Sequence, residues 1–269
     1  NSQYATYKYY DHTVNLGIRY NAGDVRFNAG VNFNPEKTDM AYERPGQNID
    51  TLITRKVNKV SPTVRFRYRF SKTSQLEVRY NGSSSQPSMT NLLAVVDNAD
   101  PLNISMGNPG LKPSWNNYFE LFYNNYIVKS QTGWMARLTF NQTSNSISNA
   151  MHYDENTGVR TTRPENINGN WNTDGDFMFN TSFGKNKNWT IGSFTGYNYS
   201  NNVGYVSTGN DTTSSKNTTK NLTLREYLRL TFRTGLFEFG VRGGVSYQHA
   251  KNELQTNANL DTWNFNYGG

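Results

Sequence analysis

Val64-Arg65-Phe66-Arg67-Tyr68-Arg69-Phe70 decides how this chain folds. Each apolar residue is followed by an arginine. A period of two puts every ring on one face of a β-strand and every guanidinium on the other, whereas a helix of 3.6 residues per turn would scatter both around its axis. The same alternation recurs on either side. Val25, Phe27, Ala29, Val31 and Phe33 alternate with Arg26, Asn28, Gly30 and Asn32, and Leu76, Val78 and Tyr80 alternate with Gln75, Glu77 and Arg79. Further along, Trp134, Ala136, Leu138 and Phe140 alternate with Met135, Arg137, Thr139 and Asn141, and Phe237, Phe239 and Val241 with Glu238 and Arg242. Roughly ten strands can be drawn, well beyond the usual soluble strand of about 5–6 residues.

The connections alternate in length. Short polar turns fall near 21–24, 71–74, 129–133, 184–188 and 234–236. Between them lie long segments rich in Gly, Asn, Thr and Pro, near 40–52, 87–112, 152–168, 203–219 and 250–260. A transmembrane barrel of antiparallel strands has short periplasmic turns, long extracellular loops and girdles of aromatic residues. Tyr20, Phe70, Trp134, Phe183, Trp189, Phe232 and Phe237 sit beside the short turns as such a girdle would.

Composition agrees once alternation is taken into account. The chain has 269 residues, is 35% hydrophobic and has a mean hydropathy of -0.79, which alone suggests a soluble or disordered chain. Yet 14% of it is aromatic, and disordered segments are poor in rings. The longest apolar run, at 92–96, is far short of the 18 or so residues of a membrane-spanning helix. Barrel strands show only half of their residues to lipid, so average hydropathy stays low.

The net charge of +7 is dispersed along the chain, which argues against nucleic acid as a partner. No cysteine is present, so disulfide and thiolate-metal sites are excluded. His12, His152 and His249 are isolated, and no nucleophile elbow, Walker loop or dinucleotide fingerprint occurs. The expectation is a non-enzymatic protein without a cofactor. Residues 1–269 open with neither an initiator Met nor a signal-like segment, so any secretory signal is expected to lie outside them or to have been removed. The first strand, near 4–20, runs into a short turn, so at least one further strand is expected before it and more after the last.

Residues 97–113, DNADPLNISMGNPGLKP, followed by Ser114-Trp115-Asn116-Asn117-Tyr118-Phe119, go beyond pattern. They resemble the loop and following strand of TonB-dependent outer-membrane receptors, in which a Gly-Asn-Pro-x-Leu-Lys-Pro run, here 107–113, enters a strand. The preceding Asp-Asn-x-Asp-Pro-Leu, here 97–102, is similar to the large outer-membrane β-barrel subgroup with a carboxypeptidase-regulatory-like domain. The resemblance implies a barrel of about 22 strands with a plugged lumen, in the outer membrane of a Gram-negative bacterium. Its partners would be the lipid bilayer, a plug domain of the same full-length chain, the TonB complex and a surface lipoprotein. Neither a plug nor a TonB-contacting segment is recognised within residues 1–269.

The expected fold is therefore all-β, a transmembrane antiparallel meander β-barrel represented in part. The expected function is import of a nutrient captured by long extracellular loops; a passive porin-like or adhesin-like barrel is the alternative. Two sets of candidate ligand-binding residues stand out. Arg65, Arg67, Arg69, Glu77 and Arg79 share one face, either as a basic lumen wall for an anionic ligand or as a hydrated wall pairing the plug's carboxylates. Asp97, Asn98 and Asp100 are candidates for Ca²⁺ or a glycan, although Asn and Asp are also common in loops for turn reasons alone.

Overall fold

The computed structural model describes residues 4–44, 49–93, 96–207 and 212–269. Its main body is one antiparallel sheet of 12 strands in which sequence neighbours are spatial neighbours. It starts with β1 (Tyr4–Asp11) and β2 (Val14–Ala22), both paired to β3 (Val25–Arg44), and continues through β4 (Ile49–Ser71) and β5 (Ser74–Ser85). The path then passes through β8 (Ser114–Ile127), β9 (Thr132–Ser144), β12 (Asn170–Phe183), β13 (Trp189–Val206), β14 (Ser215–Thr234), β15 (Phe237–Asn252) and β16 (Leu260–Gly268). The sheet is an antiparallel meander that, among the described residues, does not close on itself, consistent with part of a barrel.

The expected short turns are where alternation placed them. One strand of the expected set is broken: β1 and β2 replace a single strand, and the break at residues 12–13 lies beside Pro35. Proline has no N–H to give a ladder, and only its carbonyl is used here, accepting from the His12 N–H at 3.2 Å.

The long segments were drawn too wide from sequence. β3 continues to Arg44 and β4 starts at Ile49, so most of 40–52 is strand, while 45–48 lie outside the described residues. Likewise β13 extends to Val206 and β14 begins at Ser215, with 208–211 outside the described residues, and β15 runs to Asn252, leaving a 3-10 turn at Thr256–Ala258 before β16. β4 is 23 residues long. At about 3.3 Å per residue and a tilt near 40°, it rises roughly 55–60 Å, twice the hydrocarbon thickness. The strands thus project past a bilayer on the long-loop side, where polar composition disguises them as loops.

The remaining long segments fold into a second sheet. Between β5 and β8 lie α1 (Met89–Leu92), β6 (Val96–Asp100) and β7 (Asn103–Met106), and between β9 and β12 the hairpin of β10 (Ser146–Asp154) and β11 (Val159–Ile167). These four strands pair in the order β10-β11-β7-β6, with β7 parallel to β11. The chain leaves the main sheet at Asn145 (φ 53°) and returns at Gly169 (φ 120°), where a Cβ would come within 2.8 Å of Val203 Cγ2.

Burial is inverted relative to a water-soluble domain. The accessible surface is 17041 Å², against about 12,000 Å² for a compact globule of this mass. Large apolar residues are outside: Leu16 is 66% exposed, Ile18 68% and Phe265 73%. Among the described residues a buried cluster of Met40, Tyr42 and Leu93, with Met89 against it, lies on the long-loop side, where α1 packs on the arginine-bearing face of β3. An apolar exterior of this extent is stable in lipid and not in water.

Candidate functional site: the arginine-bearing face

Strand pairing carries the alternation of the first stretch across the whole sheet. One row of directly opposed positions reads Tyr20, Phe27, Phe66, Val78, Leu121, Leu138, then Gly175, Tyr197, Leu224, Tyr247 and Trp263. Val64, Tyr68, Leu76 and Phe140, expected on the same apolar face, share that parity. Two rings of aromatics flank the row. Near the short turns Phe183, Trp189 and Phe232 stack in sequence, and towards the long loops Tyr80, Phe119, Phe140, Trp171 and Tyr199 form an unbroken chain over five strands. On β13, Trp189 and Tyr199 stand ten residues apart, which at about 3.3 Å per residue and a 40° tilt is about 25 Å, the height of a barrel's apolar band.

The opposite face gathers the charges into two neighbouring rows. The first holds Arg19, Asn28, Arg65, Arg79, Glu120, Thr139, Asp174 and Asn198; the second holds Asn21, Arg26, Arg67, Glu77, Phe122, Arg137, Asp176, Gly196 and Arg225. Charges so placed at mid-height of the strands are tolerable only facing water or protein.

Glu77 is the centre of the first half. Its side chain is 8% exposed and accepts from three guanidiniums: Arg65 Nε (2.7 Å) and Nη2 (3.1 Å), Arg67 Nε (2.9 Å) and Nη2 (2.7 Å), and Arg79 Nη2 (2.8 Å). Arg79 also donates to Glu120 Oε2 at 3.4 Å, and the same oxygen accepts from the Tyr118 hydroxyl at 2.8 Å. Four of the five expected wall residues are thus brought together. Arg69 is left out, since it stands opposite Gln75.

Glu120, Arg137, Asp174 and Asp176 extend this wall and were not singled out from sequence. Arg137 donates to Asp176 at 2.5 Å and 3.2 Å. Asp174 accepts from Thr139 Oγ1 (3.3 Å), Asn172 Nδ2 (3.0 Å) and Asn198 Nδ2. Gly196, having no side chain, leaves a notch of about 310 Å³ beside these groups, bordered by Phe194 and by Arg225, whose guanidinium has no partner among the described residues. The shared parity of Arg137 with Thr139, and of Asp174 with Asp176, was the available signal.

The loop candidates resolve differently. Asp97 pairs with Ser105 as backbone and Asn98 falls in the irregularity of β6 between Asp97 and Asp100, but the side chains of both lie outside the described residues. Asp100 is committed to its own turn: Oδ2 accepts from Asn103 Nδ2 at 2.7 Å and Oδ1 from the Leu102 N–H at 3.0 Å, and these donors hold its carboxyl below the usual carboxylate range. Asp154 is held low in the same way, by Thr157 Oγ1 and the Asn156 N–H. Among the described residues no three His, Cys, Asp or Glu side chains gather as a metal would need.

The 107–113 run proves to be a clamp. Asn108 Nδ2 donates to Pro164 O at 2.9 Å and its Oδ1 accepts from Arg163 Nη2 at 2.9 Å, while the Lys112 N–H and carbonyl are both bound by the Asn166 side chain. Gly107 passes so close to Leu93 that a Cβ would lie 2.0 Å from its carbonyl oxygen.

The profile of the outer membrane protein beta-barrel family matches residues 2–268. The chain belongs to that family. As a member of this outer membrane β-barrel family it resides in the outer membrane, its apolar rows facing lipid and its charged rows facing the barrel lumen. No curated protein sequence matches the chain.

Proposed function

We propose that this barrel section serves a TonB-dependent importer, in which the long loops capture a nutrient ligand and a plug domain, coupled to the TonB complex, is displaced to pass it inward. In this reading the short turns face the periplasm and the long loops the cell exterior. The supporting observation is the use made of residues 97–113, the stretch that resembles TonB-dependent receptors. Asn108 and Lys112 tie that loop to the β10–β11 hairpin, and α1 turns inward to pack on Met40 and Tyr42. Ordered chain therefore overhangs the arginine-lined lumen, as a ligand-capturing mouth requires and an open diffusion pore does not.

A charged wall is consistent with either a ligand path or a plug seat. A non-enzymatic role is supported by the wall carboxylates Glu77, Glu120, Asp174 and Asp176, each engaged by arginine, amide or hydroxyl donors. A surface lipoprotein over the mouth and the bilayer around the barrel complete the proposed set of partners.

The test is uptake by cells expressing the full-length protein, scored by growth on candidate nutrients and by accumulation of the one that supports it. Accumulation that stops on deletion of TonB or on collapse of the proton-motive force is the expected result. Accumulation unaffected by both would replace this reading with a passive porin-like barrel. Orientation is checked on intact cells, where Ser105→Cys should react with a membrane-impermeant maleimide and Thr73→Cys only after the outer membrane is permeabilised; labelling of the second alone would invert the topology.

A further inference from the structure

We propose that the arginine face holds an oxyanion site at its short-turn end, centred on Arg26, that takes a carboxylate or phosphate group. It is separate from the loop capture described above and holds whether or not the barrel is energy-coupled. Arg26 stands directly opposite Arg67 across β3 and β4, with Arg69 two residues further towards the turn. Directly opposed side chains have Cβ atoms about 5 Å apart, and like charges in that position destabilise a sheet unless an anion lies between them.

No described residue supplies that anion. The guanidiniums of Arg26 and Arg69 have no hydrogen-bond acceptor or ion-pair partner among the described residues, and Arg67 is turned to Glu77, which already serves Arg65 and Arg79. Asp24, in the adjoining turn, makes no ion pair with any of them among the described residues. On the other side of Arg26 a cavity of about 410 Å³ is lined by Arg19, Asn21, Arg26 and Asn28, closed by the Ala22-Gly23 turn and free of carboxylates. Arg19 is oriented into this arrangement by donating its Nε to Asn28 Oδ1 at 3.2 Å.

The contrast with the far end of the same face is informative. There too an arginine, Arg229, stands opposite another, Arg242, but Glu238 lies 3.6 Å from Arg229 and 2.6 Å from Arg233. Among the described residues no carboxylate is paired with Arg26. Guanidinium forks match planar, two-oxygen acceptors, and five N–H donors on each of Arg19, Arg26 and Arg69 leave ample capacity for one. The donors exclude a cation, and the Asn21 and Asn28 amides supply neutral donors beside the charge.

The test is arginine footprinting of the full-length protein in outer-membrane preparations, using phenylglyoxal and peptide mass mapping, with the unpaired Arg225 as the internal reference. Adding inorganic phosphate should slow modification of Arg26 and Arg69 about tenfold, the effect of one charge-assisted contact, without altering Arg225. If both are already protected without phosphate and high salt releases them, the oxyanion is a carboxylate carried by protein. Protection that needs added phosphate assigns the site to a dissolved anion. In Arg26→Gln the protection at Arg69 should be lost, whereas Lys185→Gln, which removes one positive charge at a distant turn, should leave it unchanged. Modification of Arg26 and Arg69 at the rate of Arg225 under all conditions would overturn the proposal.

Discussion

Two stretches of the same lumen wall deal with buried charge in opposite ways. Across β4, β5 and β8, three guanidiniums converge on the single carboxylate of Glu77, and positive charge is left in excess. Across β9, β12 and β13 two carboxylates share one guanidinium's neighbourhood: Arg137 pairs with Asp176, and Asp174 is satisfied by the Asn172, Asn198 and Thr139 side chains. The rows are continuous, so strand geometry alone does not account for the difference. It follows from which residue occupies each inward position, and it makes the first stretch sensitive to loss of one group and the second tolerant of it.

The sharpest way to break that comparison is to neutralise each stretch in turn. Glu77→Gln leaves three guanidiniums facing one another around a neutral amide and should cost about 3 kcal/mol, the scale seen when one partner of a buried ion pair is removed. Asp174→Asn, which keeps the size of the group and has amides for company, should cost about 1 kcal/mol or less. Urea titration of the barrel folded into lipid vesicles measures both, and equal losses would show that the two stretches do not differ energetically.

A second measurement compares the two faces of one strand. Phe66→Arg puts a charge on the lipid side and should cost about 2–4 kcal/mol, whereas Arg67→Phe acts on the hydrated side and should cost less. Glu77 would still hold Arg65 and Arg79 in that variant. Equal effects in the same titration would count against the assignment of the faces.

Smaller changes reach the overhanging loops without touching the wall. Gly107→Ala drives a methyl into the Leu93 carbonyl, so about 1–3 kcal/mol of local stability should be lost. Hydrogen exchange should quicken at 89–93 and 103–111 while the unfolding midpoint of the barrel stays in place; a shift of the midpoint instead would mean that the loops and wall unfold together.

The least effect is expected from pH. Asp100 and Asp154 are held below the usual carboxylate range by the donors of their turns, so the stabilisation they lend is complete above the ordinary Asp range and declines as pH falls through the depressed values. Amide protection in the second sheet, taken relative to the intrinsic exchange rate at each pH, should accordingly fall in acid and be flat above neutrality.

What the sequence made legible was everything that parity controls. The two faces, the short turns and the joint placement of Arg65, Arg67, Glu77 and Arg79 all follow from a period of two read across neighbouring strands. Parity says nothing about which strand is the next neighbour after an insertion. Glu120 meets Arg79 only because β5 pairs with β8 across the segment holding α1, β6 and β7, so the outer part of the wall was not visible in advance. The parallel pairing of β7 with β11 is likewise a contact between two insertions, with no local signal in either. Strand ends were misplaced for another reason: beyond the bilayer both faces of a strand meet water, alternation disappears, and the residues read as loop.

The second sheet has a kinetic consequence. β7 is bonded to β11, and β10 is bonded in turn to the segment between β13 and β14, through the Tyr153 N–H to the Thr212 carbonyl (2.6 Å) and the Ser214 N–H to the Met151 carbonyl (2.8 Å). Three excursions of the chain that would each fluctuate independently within nanoseconds to microseconds are thereby joined, and none can swing aside without breaking bonds held by another. On the importer reading proposed above, passage beneath them would be timed by a collective opening in the microsecond to millisecond range, so the frequency of that event, more than the affinity of any one side chain, would set the fastest rate at which a solute is admitted.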